Sequence, residues 1–319
     1  MRTARRLAAA ISIAAAVAAA PAMARGQGFA ALVAEANHAE LTGQYRDAAK
    51  LYEKAYAVSG FDPVALALAA VSSRHGGDDS TAAAYLRRAT AEGFVDPRFL
   101  NILRGDSALK KLEDKPAWRD AVAAAEKRFE SIDKPLRSEL LELVARDQAN
   151  RANIDSVIAA NGTSSRSGDS ALKAMSAADV PLMARLADIV KAKGWPGRTL
   201  VGDDGAHAAW LVLQHAPPET QRAMLPLVRA AVAKGDARPS DLALLEDRVL
   251  ADQAKPQVYG SQLAWPPAGG LPTLKPIENP ACVDVRRASV GLEPLAEYLA
   301  RFGVEYMPPA ATTPTRCKG

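Results

Sequence analysis

Nine side chains between Asp147 and Gln262 of this 319-residue chain have types suited to proton transfer and to holding a polar ligand. His215 could serve as a general acid or base near neutral pH. Asp147 or Asp247 could orient its ring, and Arg151 or Arg248 could hold an anion or a carbonyl oxygen. Tyr259 and Gln262 bring a phenol and an amide within the run Tyr259-Gly260-Ser261-Gln262. On the helix expected to carry His215, the spacing of His207, Trp210, Leu211, Gln214 and His215 puts all five on one broad face. Two expectations follow. In the first, His215, Asp147 and Tyr259 are the catalytic part of one cleft. Arg151, Trp210, Gln214, Asp247, Arg248 and Gln262 are then its ligand-binding part. In the second, the same residues are a satisfied polar network that fixes how helices pack, because an unpaired buried polar group costs about 1–3 kcal/mol.

More specific chemistries fare worse. His207 and His215 are two turns apart, about 12 Å along a helix, too far to share a metal as an i, i+4 pair does. The other two histidines, His38 and His75, lie in the first half of the chain, so no metal site is expected. Ser261 lacks the second glycine of a nucleophile elbow, although its hydroxyl could attack if His215 lay beside it. Val201-Gly202-Asp203-Asp204-Gly205 has no Gly-Lys-Ser/Thr, and its carboxylates would repel phosphate. Asp203 or Asp204 is expected instead to start the next helix. Trp195, Trp210 and Trp265 could line a sugar-binding face but fit core anchors better. No motif implies a cofactor.

The elements that must position these groups read as helices. Hydrophobic residues make up 49% of the chain but aromatics only 5%, and much of the apolar content is alanine, which favours helix over sheet. The expected fold class is mostly α: a short tetratricopeptide-like array followed by an all-α, or nearly all-α, domain. A shift of 34 residues maps Gly43, Ala48, Tyr52, Ala55 and Asp62-Pro63 onto Gly77, Ala82, Leu86, Ala89 and Asp96-Pro97, the period of that repeat. The first helices of the pairs fall at about 29–42 and 63–74, and Gly93 caps the helix that starts near Ser80. A degenerate third pair, carrying Leu100, Leu103, Leu109, Leu112 and Trp118, covers 97–127. Such arrays commonly seat a peptide or partner protein in a concave groove, and a purely supporting role is the alternative. The first expectation for function is a binding or scaffolding protein that holds a peptide or protein on its repeats and a small ligand in its C-terminal cleft; the alternative is a hydrolase-like enzyme with His215 as general acid or base. Beyond it, helices are expected over 135–154, 177–193, 206–216, 220–234, 239–254, 283–290 and 292–302. A Gly/Ser-rich loop fills 159–170, and the stretch 266–280 is Pro-rich.

The ends of the chain carry their own signals. Arg2, Arg5 and Arg6 precede an apolar run over 7–20, and Ala22-Met23-Ala24 is a small-x-small cleavage site. This is the layout of a secretory signal peptide cut after Ala24, and its run is too short for a stable anchor. A periplasmic or secreted protein is expected, with the Arg5-Arg6 pair leaving twin-arginine export open. The leader takes three of the 40 basic residues, leaving 37 against 36 acidic ones. That balance argues against a nucleic-acid binder. Cys282 and Cys317 could pair in an oxidising compartment. The expected organisation is leader 1–24, repeats 25–130, a helical domain 131–306 and a disordered tail 307–319.

Several motifs stand in one order in the second half. They are Asp147-Gln148-x-x-Arg151, Gly194-Trp195-Pro196-Gly197, Val201-Gly202, Ala209-Trp210-Leu211-x-x-Gln214-His215-Ala216, Asp247-Arg248, Pro256-Gln257-x-Tyr259-Gly260-Ser261-Gln262 and Pro276-Ile277-Glu278-Asn279-Pro280. Over about 135–301 the chain thereby resembles a family of uncharacterised bacterial proteins, often exported and sometimes fused to tetratricopeptide-like repeats. The resemblance implies no particular activity. Leu182 stands where the family often has Asn, and Ala216-Pro217 where an acid often follows the Gln-His pair.

Overall fold

A computed structural model describes residues 27–58, 63–91, 97–161, 166–266 and 270–307. The chain is mostly α-helical, and it divides into two compact units, residues 1–131 with 291–293 and residues 132–290 with 294–319. The leader, the Gly93 cap, the tail beyond Met307 and Cys317 lie outside the described residues. No described helix is long and apolar enough to cross a membrane.

In the first unit, α1 (Gln27–Leu41) pairs with α2 (Tyr45–Val58), and α3 (Pro63–His75) with α4 (Asp79–Ala91). The small Ala48, Ala55, Ala82 and Ala89 are all at most 1% exposed, which lets the helices approach closely. Then come α5 (Pro97–Gly105), a 3-10 turn Leu109–Leu112, and α6 (Pro116–Ser131). Every residue of α3 from Val64 to Ser73 is buried. A helix apolar all round must be covered all round, and α2, α4, α5 and the 3-10 turn all pack on it. Leu100, Leu103, Leu109 and Leu112 are correspondingly buried.

The second unit opens with a long hairpin, α7 (Lys134–Asn161) and α8 (Arg166–Lys193), on which α9 (Arg198–Gln214) packs. Leu136, Leu140, Leu143, Leu182, Met183, Leu186 and Ile189 meet Val201, Ala209, Val212 and Leu213 in one core. The structure corrects two boundaries here. Both helices run into the stretch expected as loop, and α8 begins at Arg166 rather than near Ala177. The local Gly/Ser content is overridden by helix formers such as Ala171, Leu172, Ala174 and Met175. Next come α10 (Pro218–Ala233) and α11 (Pro239–Asp252), packed on each other. The Pro-rich stretch contains a small antiparallel hairpin, β1 (Leu263–Ala264) with β2 (Thr273–Leu274), in which Leu263 faces Leu274. The helices α12 (Val283–Ser289) and α13 (Leu295–Ala300) close a minor core around Val283, Leu295 and Leu299.

Candidate functional site

Within the second unit, hydrogen bonds divide the nine candidate residues among three polar clusters and the separate pair Gln214 and Arg248.

The first cluster gathers around α7. Asp147 and Arg151 are four apart on that helix, and Arg151 Nη2 donates to Asp147 Oδ1 at 3.0 Å. From the end of α9, His215 Nδ1 reaches Asp147 Oδ1 at 2.9 Å. From α8, Asp179 accepts from Arg151 Nη2 at 3.0 Å. The tautomer follows from the partners. A carboxylate only accepts, so Nδ1 carries its proton toward Asp147. Arg151 Nε, 3.0 Å from the same nitrogen, then has Asp147 Oδ2 at 3.3 Å as its acceptor. Burial alone raises the Asp147 carboxyl, but hydrogen bonds and charge from His215 and Arg151 hold it below the ordinary aspartate range. The Asp147 side chain is 0% exposed and that of His215 17%. Among the described residues, no hydrogen bond engages His215 Nε2, and that atom is not sealed from solvent.

The second cluster takes Trp210 and His207 away from His215. Their rings stack with centroids 5.0 Å apart. Trp210 Nε1 donates to the Asp241 carbonyl at 2.7 Å, and His207 Nδ1 meets Asp241 Oδ2 at 2.9 Å. Beside them Asp203, 1% exposed, pairs with both Arg198 and Arg238. Helix α9 is two helical segments joined at Gly202, which is non-helical at φ 78°, ψ 169°. Asp203 and Asp204 open the second segment, the place expected for one of them. The break turns Asp203 inward to the two guanidinium groups, while Asp204 pairs with Arg137 at 2.5 Å. Burial acts to raise the Asp203 carboxyl, but the charges of Arg238 and Arg198 dominate and hold it far below the usual range. The first segment is capped by Asp236. Its carbonyl accepts the Arg198 N–H at 2.8 Å, and its Oδ1 accepts the Thr199 N–H at 2.6 Å.

In the third cluster a carboxylate holds a loop. Asp247 on α11 accepts backbone N–H bonds from Val258 at 2.7 Å, Tyr259 at 3.0 Å and Ser261 at 2.9 Å. Gln257, 0% exposed, donates to the carbonyls of Gln262 and Lys275 and accepts the Gln262 N–H. Gln262 turns its side chain to Ser261 Oγ at 3.0 Å, and Arg287 Nη1 binds the Tyr259 carbonyl at 2.7 Å. Tyr259, Ser261 and Gln262 thus build the loop, and Asp247 anchors it. Arg248, the next residue, donates from Nε to Gln214 Oε1 at 3.0 Å.

Geometry therefore brings together His215, Asp147 and Arg151 from the expected set, and separately Gln214 with Arg248. Asp179, Arg198, Asp203, Arg238, Asp241 and Gln257 were not singled out for these contacts. Their partners lie far along the chain, and only the motif Pro256-Gln257-x-Tyr259 carried a signal. Cys282 is buried, and its expected partner Cys317 is outside the described residues. Among the described residues no group of three or more His, Cys, Asp and Glu stands ready to hold a metal ion.

A family model, DUF6624, described as a family of unknown function, matches residues 134–307. The chain belongs to this family. The DUF6624 region contains all three clusters, so the motif residues of the sequence are the ones that knit its helices and loop together. No curated protein and no solved structure matches the chain.

Proposed function

We propose that the DUF6624 region is a small-ligand site in which His215 moves a proton, in a hydrolase-like reaction. One observation carries this. The imidazole is oriented through Nδ1 by a fully buried aspartate, and among the described residues no hydrogen bond engages its Nε2. This is the arrangement a general base needs: geometry fixed by a third group and one basic nitrogen left uncommitted. Arg151 is committed to Asp147 and Asp179, so its role is to fix Asp147 rather than to grip substrate. The first unit is read as a support. The burial of α3 on every side favours that over a peptide groove along this helix, so a protein partner would have to use the outer faces of the array. The arginine-and-alanine leader supports work outside the cytoplasm.

A panel of ester, amide and phosphoester substrates, offered to the purified protein and to H215A, tests the proposal. Turnover by the wild type should fall by about 10²–10⁴ in the variant, with H215A assayed well below its own, lowered melting midpoint so that it is fully folded. Equal turnover in both would reduce His215 to a packing residue.

A further inference from the structure

Arg248 differs from Arg151. Arg151 is ion-paired to aspartates. Arg248 has one hydrogen bond among the described residues, from Nε to Gln214 Oε1, and no ion pair. Its two terminal nitrogens are uncommitted, and the side chain is only partly covered. The orientation of the Gln214 amide is fixed by the same contact, because a guanidinium only donates and the oxygen must face it. Gln214 Nε2 is consequently turned elsewhere. It is buried without a hydrogen-bond partner, on a residue 5% exposed. A buried orphan donor costs about 1–3 kcal/mol, so something that accepts hydrogen bonds is missing from beside it.

We propose that Arg248 and Gln214 form a binding site for the carboxylate of a small ligand. The outer edge of the guanidinium offers two parallel N–H groups, which match the two oxygens of a planar carboxylate. The buried Gln214 amide adds a third donor. An anion is favoured over a neutral carbonyl because the charge here is desolvated and lies within reach of Arg151, with no carboxylate of its own. Burial first, and then the Arg151 charge, push the Arg248 guanidinium below its usual range, as for a cation lacking a counter-ion. Arg248 lies within electrostatic reach of Arg151, whose Nε is 3.0 Å from His215 Nδ1, so a ligand held here lies near the proton-transfer group. In this the inference rests on the functional proposal above.

The test needs no known substrate. Acetate is titrated into the 15N-labelled full protein at constant ionic strength, against chloride. The Arg248 Nε–H and Gln214 Nε2 signals are followed by NMR. Both should shift saturably below about 50 mM acetate, a millimolar-range affinity. R248M should abolish the effect. R248K, which keeps the charge but not the fork, should weaken it by about tenfold, and it decides the matter if R248M does not fold. Absence of a saturable shift in the wild type, or equal shifts in R248K, overturns the proposal. A response to inorganic phosphate without one to acetate overturns the carboxylate assignment. H215A should bind acetate as the wild type does even if it loses turnover, which separates failure of this site from failure of the His215 proposal. Loss of acetate binding in H215A would overturn the assignment to Arg248 and Gln214.

Discussion

Asp147 and Asp203 are both buried carboxylates facing arginine, yet their surroundings give them different work. Asp203 is enclosed by Arg198 and Arg238, with no solvent-facing partner. Removing its charge takes the buried carboxylate from between two buried guanidinium groups. D203N should therefore destabilise the protein by about 3–5 kcal/mol, measured by urea unfolding. A cost under about 1 kcal/mol would mean that water reaches the cluster. Asp147 instead orients a ring that meets solvent. H215N deletes one neutral-to-charged hydrogen bond and should cost only about 1.5–3 kcal/mol in the same experiment. This scale was half legible in the sequence. The four-residue spacing of Asp147 and Arg151 and the Gln214-His215 pair pointed to themselves. Asp179, Arg198 and Arg238 did not, because each meets its partner only through tertiary packing. Trp210 shared a helical stripe with His215 on paper but turns to Asp241, since five residues spread over a broad face need not see the same neighbours.

At the scale of elements, two glycines explain why α9 starts and bends where it does. Gly197 lies against Asp236, and a Cβ there would sit 2.1 Å from Asp236 Oδ2 and 2.8 Å from its carbonyl oxygen. These are the two groups that cap α9. Gly202 adopts φ 78°, ψ 169° inside the helix, a region open essentially to glycine alone. G202A should lower stability by about 1–3 kcal/mol from backbone strain. G197A should do so by displacing Asp236, and with it the cap, a loss of about 1 kcal/mol or more. In peptide-resolved hydrogen exchange, G197A should expose the first turn of α9 and leave α7 unchanged. Uniform loss across the unit would argue against a local cap. The sequence ends one helix at 193 and starts the next near 206. The end is real. The gap before the next helix shrinks to a kink at Gly202, because tertiary pairing of Asp203 keeps helix on both sides of a residue that local propensity would use to end it. The early start of α8 has the same origin, since Met175 on its first turns packs at Arg151, Nη1 to Sδ 3.2 Å.

For the whole molecule, the mostly α class was readable from alanine content and period. The closure of the first unit around α3 was not, because only the fold shows that α5 and the 3-10 turn cover what an open array would expose. The two units also answer pH through different groups, and the signs can be worked out. Asp147 and Asp203 of the second unit have folded pKa values below the unfolded value near 3.9. Their contribution is complete above that value and is lost as pH falls through the folded ones. In the first unit His75 is raised, chiefly by its hydrogen bond to Glu40. Its contribution is complete below the unfolded value near 6.5 and is lost as pH rises through the folded one. It is small, because the His75 side chain is 39% exposed. Hydrogen exchange corrected for its intrinsic pH dependence should therefore show α9 losing protection below about pH 4. The end of α3 should instead gain slightly as pH falls toward about 6.5. In D203N the acid-induced loss in α9 should shrink, since the variant has already given up the charge that protonation removes. Acid sensitivity of α9 as steep in D203N as in the wild type would place its origin elsewhere, with Asp147 the first group to examine by D147N.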